Sequence, residues 1–246
     1  MEGIHLIQPM GGGGTRFGNK GFELPKPLIP LQGKPFFYWA VQSVLKSCAF
    51  RDLTCVVLKE HVEKFSIDKE ILKYYQDARI VVIPEVTEGA VITGIKGVEW
   101  IKDDRPILFN DCDHAFISRE FSGFCKNGDF ELYDGALLTF DSNNPAYSYV
   151  RYNEDGQVAG TIEKKVLSRD AICGAYYFKN KENFMNSAKE YLKACSYSEY
   201  FMSGIYNVMI NAGKSIGVLH LDEHITFGTP EEYDQVLDDK RLRELE

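Results

Sequence analysis

The residues of this chain best suited to chemistry begin with Met10-Gly11-Gly12-Gly13-Gly14-Thr15-Arg16-Phe17-Gly18, followed by Pro25-Lys26-Pro27. Consecutive glycines add nothing to a core and lose the most conformational entropy on folding. They are useful where backbone must come close to another molecule. Successive N–H groups of such a loop form a concave donor surface that suits phosphate. Arg16 adds a planar, permanently charged fork that holds phosphate oxygens in pairs, and Lys26 a compact point charge. The combination indicates a nucleoside triphosphate.

Two familiar phosphate loops do not fit. A Walker loop requires Gly-Lys-Ser/Thr after its second glycine, whereas Gly18 precedes Asn19. A dinucleotide fingerprint requires a helix opening at its third glycine. Here Gly14 is not followed by a helix-forming stretch. Phe22-Glu23-Leu24-Pro25-Lys26-Pro27-Leu28-Ile29-Pro30 follows instead, and its prolines predict extended chain.

Asp111-x-Asp113 is the second candidate. Two acids at i and i+2 on a loop after a strand can face one magnesium ion, which prefers one or two carboxylates with phosphate oxygens and water. Thr87-Glu88-Gly89-Ala90 precedes a helix, with Thr87 able to cap it. Glu163-Lys164-Lys165 ends a strand and also reads as a solvated strand end. The histidines have neither zincin spacing nor a Ser-His-Asp or Cys-His partner set. His5 reads as a packed or edge residue. His114 either orients Asp113 or lies at the surface.

The elements that must position these groups alternate through the first half. Apolar patterns predict strands at 3–7, 53–58, 79–83 and 106–109 and helices at 36–46, 61–76 and 90–101. This alternation implies a largely parallel, doubly wound sheet, whose ligands bind beyond the carboxyl ends of the strands. The glycine loop and the Asp pair both follow such ends. The second half predicts strands at 135–140, 171–178 and 215–220 and a hairpin of 147–152 with 157–163 around Asn153-Glu154-Asp155-Gly156. Its helices are expected at 181–194, 200–211 and 230–239. Nothing in the composition marks a linker, so this half is expected to complete the same sheet and lay a smaller one over the site.

The 246 residues, 44% of them apolar, suffice for one α/β domain with a sizeable core. The net charge of −8 argues against a nucleic-acid partner and suits a local basic pocket for a small anion. The six cysteines lack CxxC spacing and read as reduced, buried thiols. No signal-peptide pattern or long apolar run is present, which predicts a soluble, cytoplasmic protein without a membrane partner.

From Gly11 to Pro35 the chain resembles the nucleoside-diphosphate-sugar pyrophosphorylases, nucleotidyltransferases that make sugar nucleotides. Their signature runs Gly-x-Gly-[ST]-Arg, a variable insert, Pro-Lys-x-[LM] and a later Gly-Lys-Pro. Here the elements are Gly12-Gly13-Gly14-Thr15-Arg16, Pro25-Lys26-Pro27-Leu28 and Gly33-Lys34-Pro35, in order. The resemblance implies an α/β, Rossmann-like fold of the GT-A-like nucleotidyltransferase type. In that fold a mixed, mainly parallel sheet is flanked by helices and joined by a small additional β-sheet. It implies one domain over 1–246, with 1–115 binding nucleotide and 116–246 binding the acceptor phosphate. The implied reaction is Mg2+-dependent attack by a phosphorylated small molecule, most simply a sugar 1-phosphate, on the α-phosphorus of a nucleoside triphosphate, releasing pyrophosphate. Many such relatives form dimers or tetramers.

The resemblance also assigns roles. Arg16 holds the β- and γ-phosphates and Lys26 the α-phosphate, both catalytically. Met10, Gly11, Gly12, Gly13, Gly14, Thr15, Glu88, Gly89 and Asp111 line the nucleotide site, with base against the backbone of Gly89. Asp113 is the metal ligand, with Asp111 as a partner that supports it from behind. Lys164 meets the acceptor phosphate, with Lys165 its rival, while Glu163, Gly174 and Tyr176 line the acceptor pocket. The family's second metal Asp falls at Thr226, a departure that leaves Asp222 or Glu223 to reach the ion, or Asp113 to act with phosphates alone. Three rival readings remain. The first is a cytidylyltransferase for phosphocholine or another non-sugar phosphate, with a cage drawn from Tyr147, Tyr149, Tyr152, Tyr176 and Tyr177. The others are a glycosyltransferase of related fold and a nucleotide-sensing paralogue.

Overall fold

The structure, a computed structural model, describes residues 3–246. In chain order it comprises β1 (Ile4–Met10), α1 (Thr15–Gly18), β2 (Pro30–Leu31), β3 (Lys34–Pro35), α2 (Phe36–Ser47), β4 (Phe50–Leu58), α3 (Lys59–Phe65) and α4 (Ile67–Tyr74). Then come β5 (Arg79–Ile83), α5 (Ala90–Val98), β6 (Ile107–Asn110), β7 (His114–Ile117) and α6 (Arg119–Asn127). The second half adds β8 (Gly135–Asp141), β9 (Ser148–Tyr152), β10 (Val158–Glu163), β11 (Asp170–Phe178), α7 (Lys181–Ala194), α8 (Met202–Asn211), β12 (Ile216–His220), β13 (Glu223–Thr226) and α9 (Pro230–Val236).

A nine-stranded sheet runs β10-β9-β11-β6-β1-β4-β5, with β8 joining β11 to β12. β5, β4, β1 and β6 are mutually parallel; the apolar runs of β4, β1 and β6 are buried on both faces, while the edge strand β5 buries only Ile83. The chain leaves β1 toward β4 and β5 and returns to β6 on the other side of β1. This reversal opens a crevice at the carboxyl ends of β1 and β6, the usual ligand position in such sheets. The glycine loop leaves one lip and Asp111–Asp113 the other.

The second half enters the same sheet through β11, antiparallel to both β6 and β8. The expected hairpin, β9–β10, extends the edge of this sheet. The smaller sheet is the antiparallel pair β7–β13, just beyond Asp113, and β2–β3 forms another. The architecture is thus the expected mixed α/β sheet flanked by helices. Two apolar cores lie on its faces, and a third, containing Phe17, Phe36, Trp39 and Phe227, packs under the glycine loop.

Several local expectations are corrected. Thr15–Gly18 makes one helical turn after Gly14, because Phe17 is drawn into the core against Phe22 and Phe36 at 5.1 and 5.7 Å. Lys26–Leu28 forms a 3-10 turn rather than extended chain, closed by Leu28 N–H on Pro25 O at 2.8 Å. The helix expected over 61–76 is two helices, broken at Ser66, whose φ is 51°. β7, α6 and β13 were not expected. Their runs are short, and what stabilises them is tertiary pairing and packing.

Candidate active site

The four glycines serve different purposes. A Cβ on Gly11 would lie 2.7 Å from Ile83 Cδ1, so neighbouring packing excludes a side chain. Gly14 has φ 61° and turns the chain into α1 against Lys26. A Cβ on Gly12 would meet nothing within 4 Å, and one on Gly13 only ordinary contacts. Folding therefore does not demand glycine at these two positions. Both line a cavity of about 660 Å3.

This cavity brings together Met10, Gly11–Thr15, Arg16, Lys26, Glu88, Gly89, Asp111 and Asp113. Every sequence-derived nucleotide and metal residue thus borders one space. Lys26 Nζ donates to Asp113 Oδ2 at 2.6 Å, with both side chains about a fifth exposed (23% and 21%). Burial alone would lower the Lys26 pKa, but the Asp113 carboxylate outweighs it and holds the ammonium above its ordinary value. Burial likewise opposes ionisation of Asp113, and Lys26 overcomes it, holding the carboxyl below its usual range.

Asp111 has the opposite balance. Burial, then the Asp113 charge, push it up to about 7 against the pull of Lys26. Its N–H donates to Gly174 O at 3.0 Å. Gly174 has φ 103°, and a Cβ there would lie 2.9 Å from Asp111 Oδ2, so this glycine makes room for the carboxylate. Asp113 is fixed from the other side by Phe227 N–H on its carbonyl at 3.1 Å. A Cβ on Gly228 would come within 2.7 Å of Asp113 Oδ2.

Two adjacent carboxyl groups with too little positive charge between them suit a divalent cation. Among the described residues no group of three or more His, Cys, Asp or Glu side chains gathers to hold a metal. Mg2+ takes one or two carboxylates and completes its shell with phosphate and water, so Asp113 with Asp111 has donor chemistry of that kind. Asp222 and Glu223 do not stand in for the departed second ligand. Asp222 is held by Arg119 and Glu223 by Arg241 at 2.7 Å. Thr226 lies on β13, paired with His114 on β7.

At the far end of the cavity, Thr87 does not cap α5. Its hydroxyl donates to Gly89 O at 2.9 Å, and Gly89 itself is the cap, without a side-chain acceptor. Gly89 has φ 155°, and a Cβ would lie 2.5 Å from Tyr200 N. Tyr200 bridges this turn, donating to Glu88 O and accepting from Val91 N–H, each at 3.1 Å. The same connector brings Ser198 and Glu199 to the cavity wall. Sequence reading missed both, along with Gly228. A short polar run between two helices reads only as a link, and its position depends on long-range pairing.

The acceptor-side residues do not line this cavity. Glu163 accepts from Ser148 Oγ at 2.6 Å and from Ser203 Oγ. Lys164 is exposed, its Nζ 5.4 Å from the Phe201 ring centre, and Lys165 is exposed beside it. Burial, and then the charges of Asp111 and Glu163, push the Tyr176 hydroxyl far up.

The tyrosine cage does not form. Tyr149 and Tyr177 are core residues bonded to Asn144 O and Phe130 O, while Tyr147 and Tyr152 are engaged by Glu232 and Asp170. The surface alternative for His114 is also excluded. The residue is buried, with Nδ1 3.3 Å from His224 Nε2, and burial lowers its pKa to about 4. All six cysteines are free thiols, five of them buried. No described helix is long and apolar enough to cross a membrane.

Residues 10–139 match the family model described as the MobA-like NTP transferase domain. The chain is 26% identical over 187 residues to the glucose-1-phosphate thymidylyltransferase of Neisseria meningitidis, covering 74% of this chain and 62% of that one. To the bifunctional protein GlmU of Acetivibrio thermocellus it is 23% identical over 234 residues, 91% of this chain and 48% of that one. The chain therefore spans about half to three fifths of the length of these curated relatives. Two solved structures share the fold. The nucleoside-diphosphate-sugar pyrophosphorylase of Vibrio cholerae RC9 has a TM-score of 0.80 and 22% identity, with 94% of this chain and 99% of that chain covered. The inositol-1-phosphate CTP transferase of T. maritima has a TM-score of 0.76 and 13% identity, covering 100% and 96%.

Proposed function

The chain belongs to the MobA-like NTP transferase domain family and is a nucleotidyltransferase, and from that premise we propose a specific reaction: a nucleoside triphosphate and a sugar 1-phosphate yield a nucleoside-diphosphate sugar and pyrophosphate, with Mg2+. The observation that carries this reading is the shared cavity, lined together by Arg16, Lys26, Asp111 and Asp113. The acceptor's phosphate oxygen attacks the α-phosphorus, the bond to the β-phosphate oxygen breaks, and pyrophosphate leaves. Such a reaction needs in-line positioning and stabilisation of charge on the leaving group, not a protein nucleophile.

The glycine loop presents N–H groups to the triphosphate. Arg16 takes the outer phosphates, and Lys26 moves from Asp113 toward the α-phosphate. Asp113, with Asp111 beside it, would hold Mg2+, which neutralises phosphate charge. Glu163, Lys164, Gly174 and Tyr176 are assigned to the acceptor side, which residues 116–246 supply. Of these, Gly174 lies directly against Asp111 of the cavity, and Lys164 carries the charge suited to an incoming phosphate.

Loss of the tyrosine cage removes the support for phosphocholine. A CTP-dependent transfer to a cyclitol phosphate remains a second acceptor class, because the inositol-1-phosphate CTP transferase aligns over the whole of this chain. The deciding experiment is pyrophosphate release with Mg2+, testing CTP, UTP, GTP, ATP and dTTP against sugar 1-phosphates, inositol 1-phosphate and phosphocholine. Release with one pair identifies both substrates. Silence with triphosphate still bound favours a sensing paralogue, and silence without binding removes the assignment of the loop.

A further inference from the structure

Asp113 follows β6 and Lys164 follows β10, and Tyr147 reaches toward both. The Tyr147 carbonyl accepts the N–H of Lys164 at 3.1 Å. Its hydroxyl donates to Glu232 Oε1, also at 3.1 Å. The other oxygen of that carboxylate, Oε2, accepts the N–H groups of Gly228 and Thr229, each at 3.0 Å. Gly228 lies directly against Asp113, and Phe227 N–H holds the Asp113 carbonyl.

Helix capping accounts for only part of this arrangement. Thr229 and Glu232 form a capping box at the start of α9, which uses Oε2 and the Thr229 hydroxyl. The bond from Tyr147 to Oε1 lies outside the box and connects it to the β8–β9 connection. That connection is itself well braced. Tyr147 N–H donates to Asn144 O at 3.3 Å, and the Tyr147 ring stands edge-on to Phe140 at 5.0 Å. At the other end, Lys164 has φ 53°, a left-handed conformation that costs any residue with a Cβ. Strain of this kind persists where surrounding bonds over-determine the backbone, and it gathers at functional sites.

We propose that Tyr147 is a positioning residue that sets the distance between the metal carboxylate Asp113 and the acceptor-phosphate lysine Lys164. It acts through its carbonyl on one side and through Glu232 and Gly228 on the other. The proposal rests on the transferase reading above. Its physical basis is that in-line transfer requires both substrates to be held together within a fraction of an ångström.

The test is Tyr147→Phe, which keeps the ring on Phe140 and the carbonyl on Lys164 and removes only the hydroxyl. Steady-state pyrophosphate release is measured with the triphosphate and phosphate ester that the panel assigns to the wild type, alongside thermal melting. The expected result is a kcat lower by about tenfold and a raised acceptor KM, with the triphosphate KM within about twofold of wild type and melting little changed. Glu232→Gln should stay within about twofold of wild type, because its amide oxygen can take the two N–H groups while its NH2 donates to the Tyr147 hydroxyl. Glu232→Ala removes that bond from the opposite side together with the acceptor of the Gly228 and Thr229 N–H groups, and it is read by the same split between acceptor KM and triphosphate KM should Tyr147→Phe melt too early to assay. Unchanged kcat in Tyr147→Phe, or a triphosphate KM that rises in step with the acceptor KM, overturns the positioning role. Silence of the wild type across the panel overturns the transferase reading instead, and this proposal with it.

Discussion

Lys26 Nζ and Asp113 Oδ2 lie 2.6 Å apart, although 87 positions separate the residues in the chain. The lysine comes from a 3-10 turn after the glycine loop, the aspartate from the loop after β6. Their contact means that the cation assigned to the α-phosphate and the carboxylate assigned to the metal occupy one place. Substrate and metal must then share these two groups between them.

Lys26→Ala tests the catalytic half of this pair. Charge on the phosphates grows in the transition state, so kcat should fall by about two orders of magnitude or more, well beyond the loss in triphosphate affinity. Single-turnover kinetics with equilibrium binding of the triphosphate separates the two effects. Equal losses in both would restrict Lys26 to ground-state binding.

Asp113→Asn tests the metal half. With the triphosphate present, Mn2+ binding followed by electron paramagnetic resonance should weaken at least about tenfold, since a neutral amide is a poor ligand for a hard dication. Asp222→Asn should bind Mn2+ as the wild type does, because Asp222 is committed to Arg119. Loss of binding in the Asp222 variant would put the metal elsewhere.

Gly12→Ala separates folding from ligand approach. A methyl group there meets no protein atom within 4 Å, so thermal stability should remain within about 0.5 kcal/mol of wild type. The triphosphate KM should nevertheless rise, because the methyl projects where phosphate would meet backbone. An unchanged KM would show that the ligand does not touch Gly12.

His5 supplies a stability prediction at the opposite end of the sheet. Nδ1 lies 2.9 Å from Asp52 and Nε2 2.7 Å from Asp103. Burial lowers the pKa of the imidazole, but the two carboxylates overcome this and raise it above its ordinary value. A raised folded-state pKa adds stability that is fully present below the unfolded value of about 6.5 and is lost as pH rises through the folded value. Urea unfolding of wild type and His5→Gln should therefore show the largest gap near pH 5.5 and a smaller one at pH 8.5. A gap that widens with pH would contradict the charged imidazole.

The glycine loop, Arg16, Lys26 and the two aspartates were legible in the chain because their chemistry is carried by residue type and by short spacing. Strands such as β4 and β5 and helices such as α2 and α7 were legible because their apolar periodicity is local. These features were sufficient to indicate a nucleotide-binding α/β sheet. β7 and β13 were not legible, since four-residue strands carry little periodic signal and exist through pairing with each other. The same limit hid Ser198, Glu199 and Gly228, which reach the cavity only because distant segments dock there.

Residue types and their spacing carry the chemistry proposed for the chain, a glycine loop with two cations and a pair of carboxylates suited to a hard metal. The tertiary structure decided which groups meet. It set Lys26 on Asp113, pressed Gly174 and Gly228 against the two aspartates, engaged Asp222 and Glu223 elsewhere and dispersed the tyrosines. The reason is physical. Residue type fixes charge, donors and local conformational preference, whereas distances between remote side chains depend on sheet order, and sheet order is settled by packing across the whole chain.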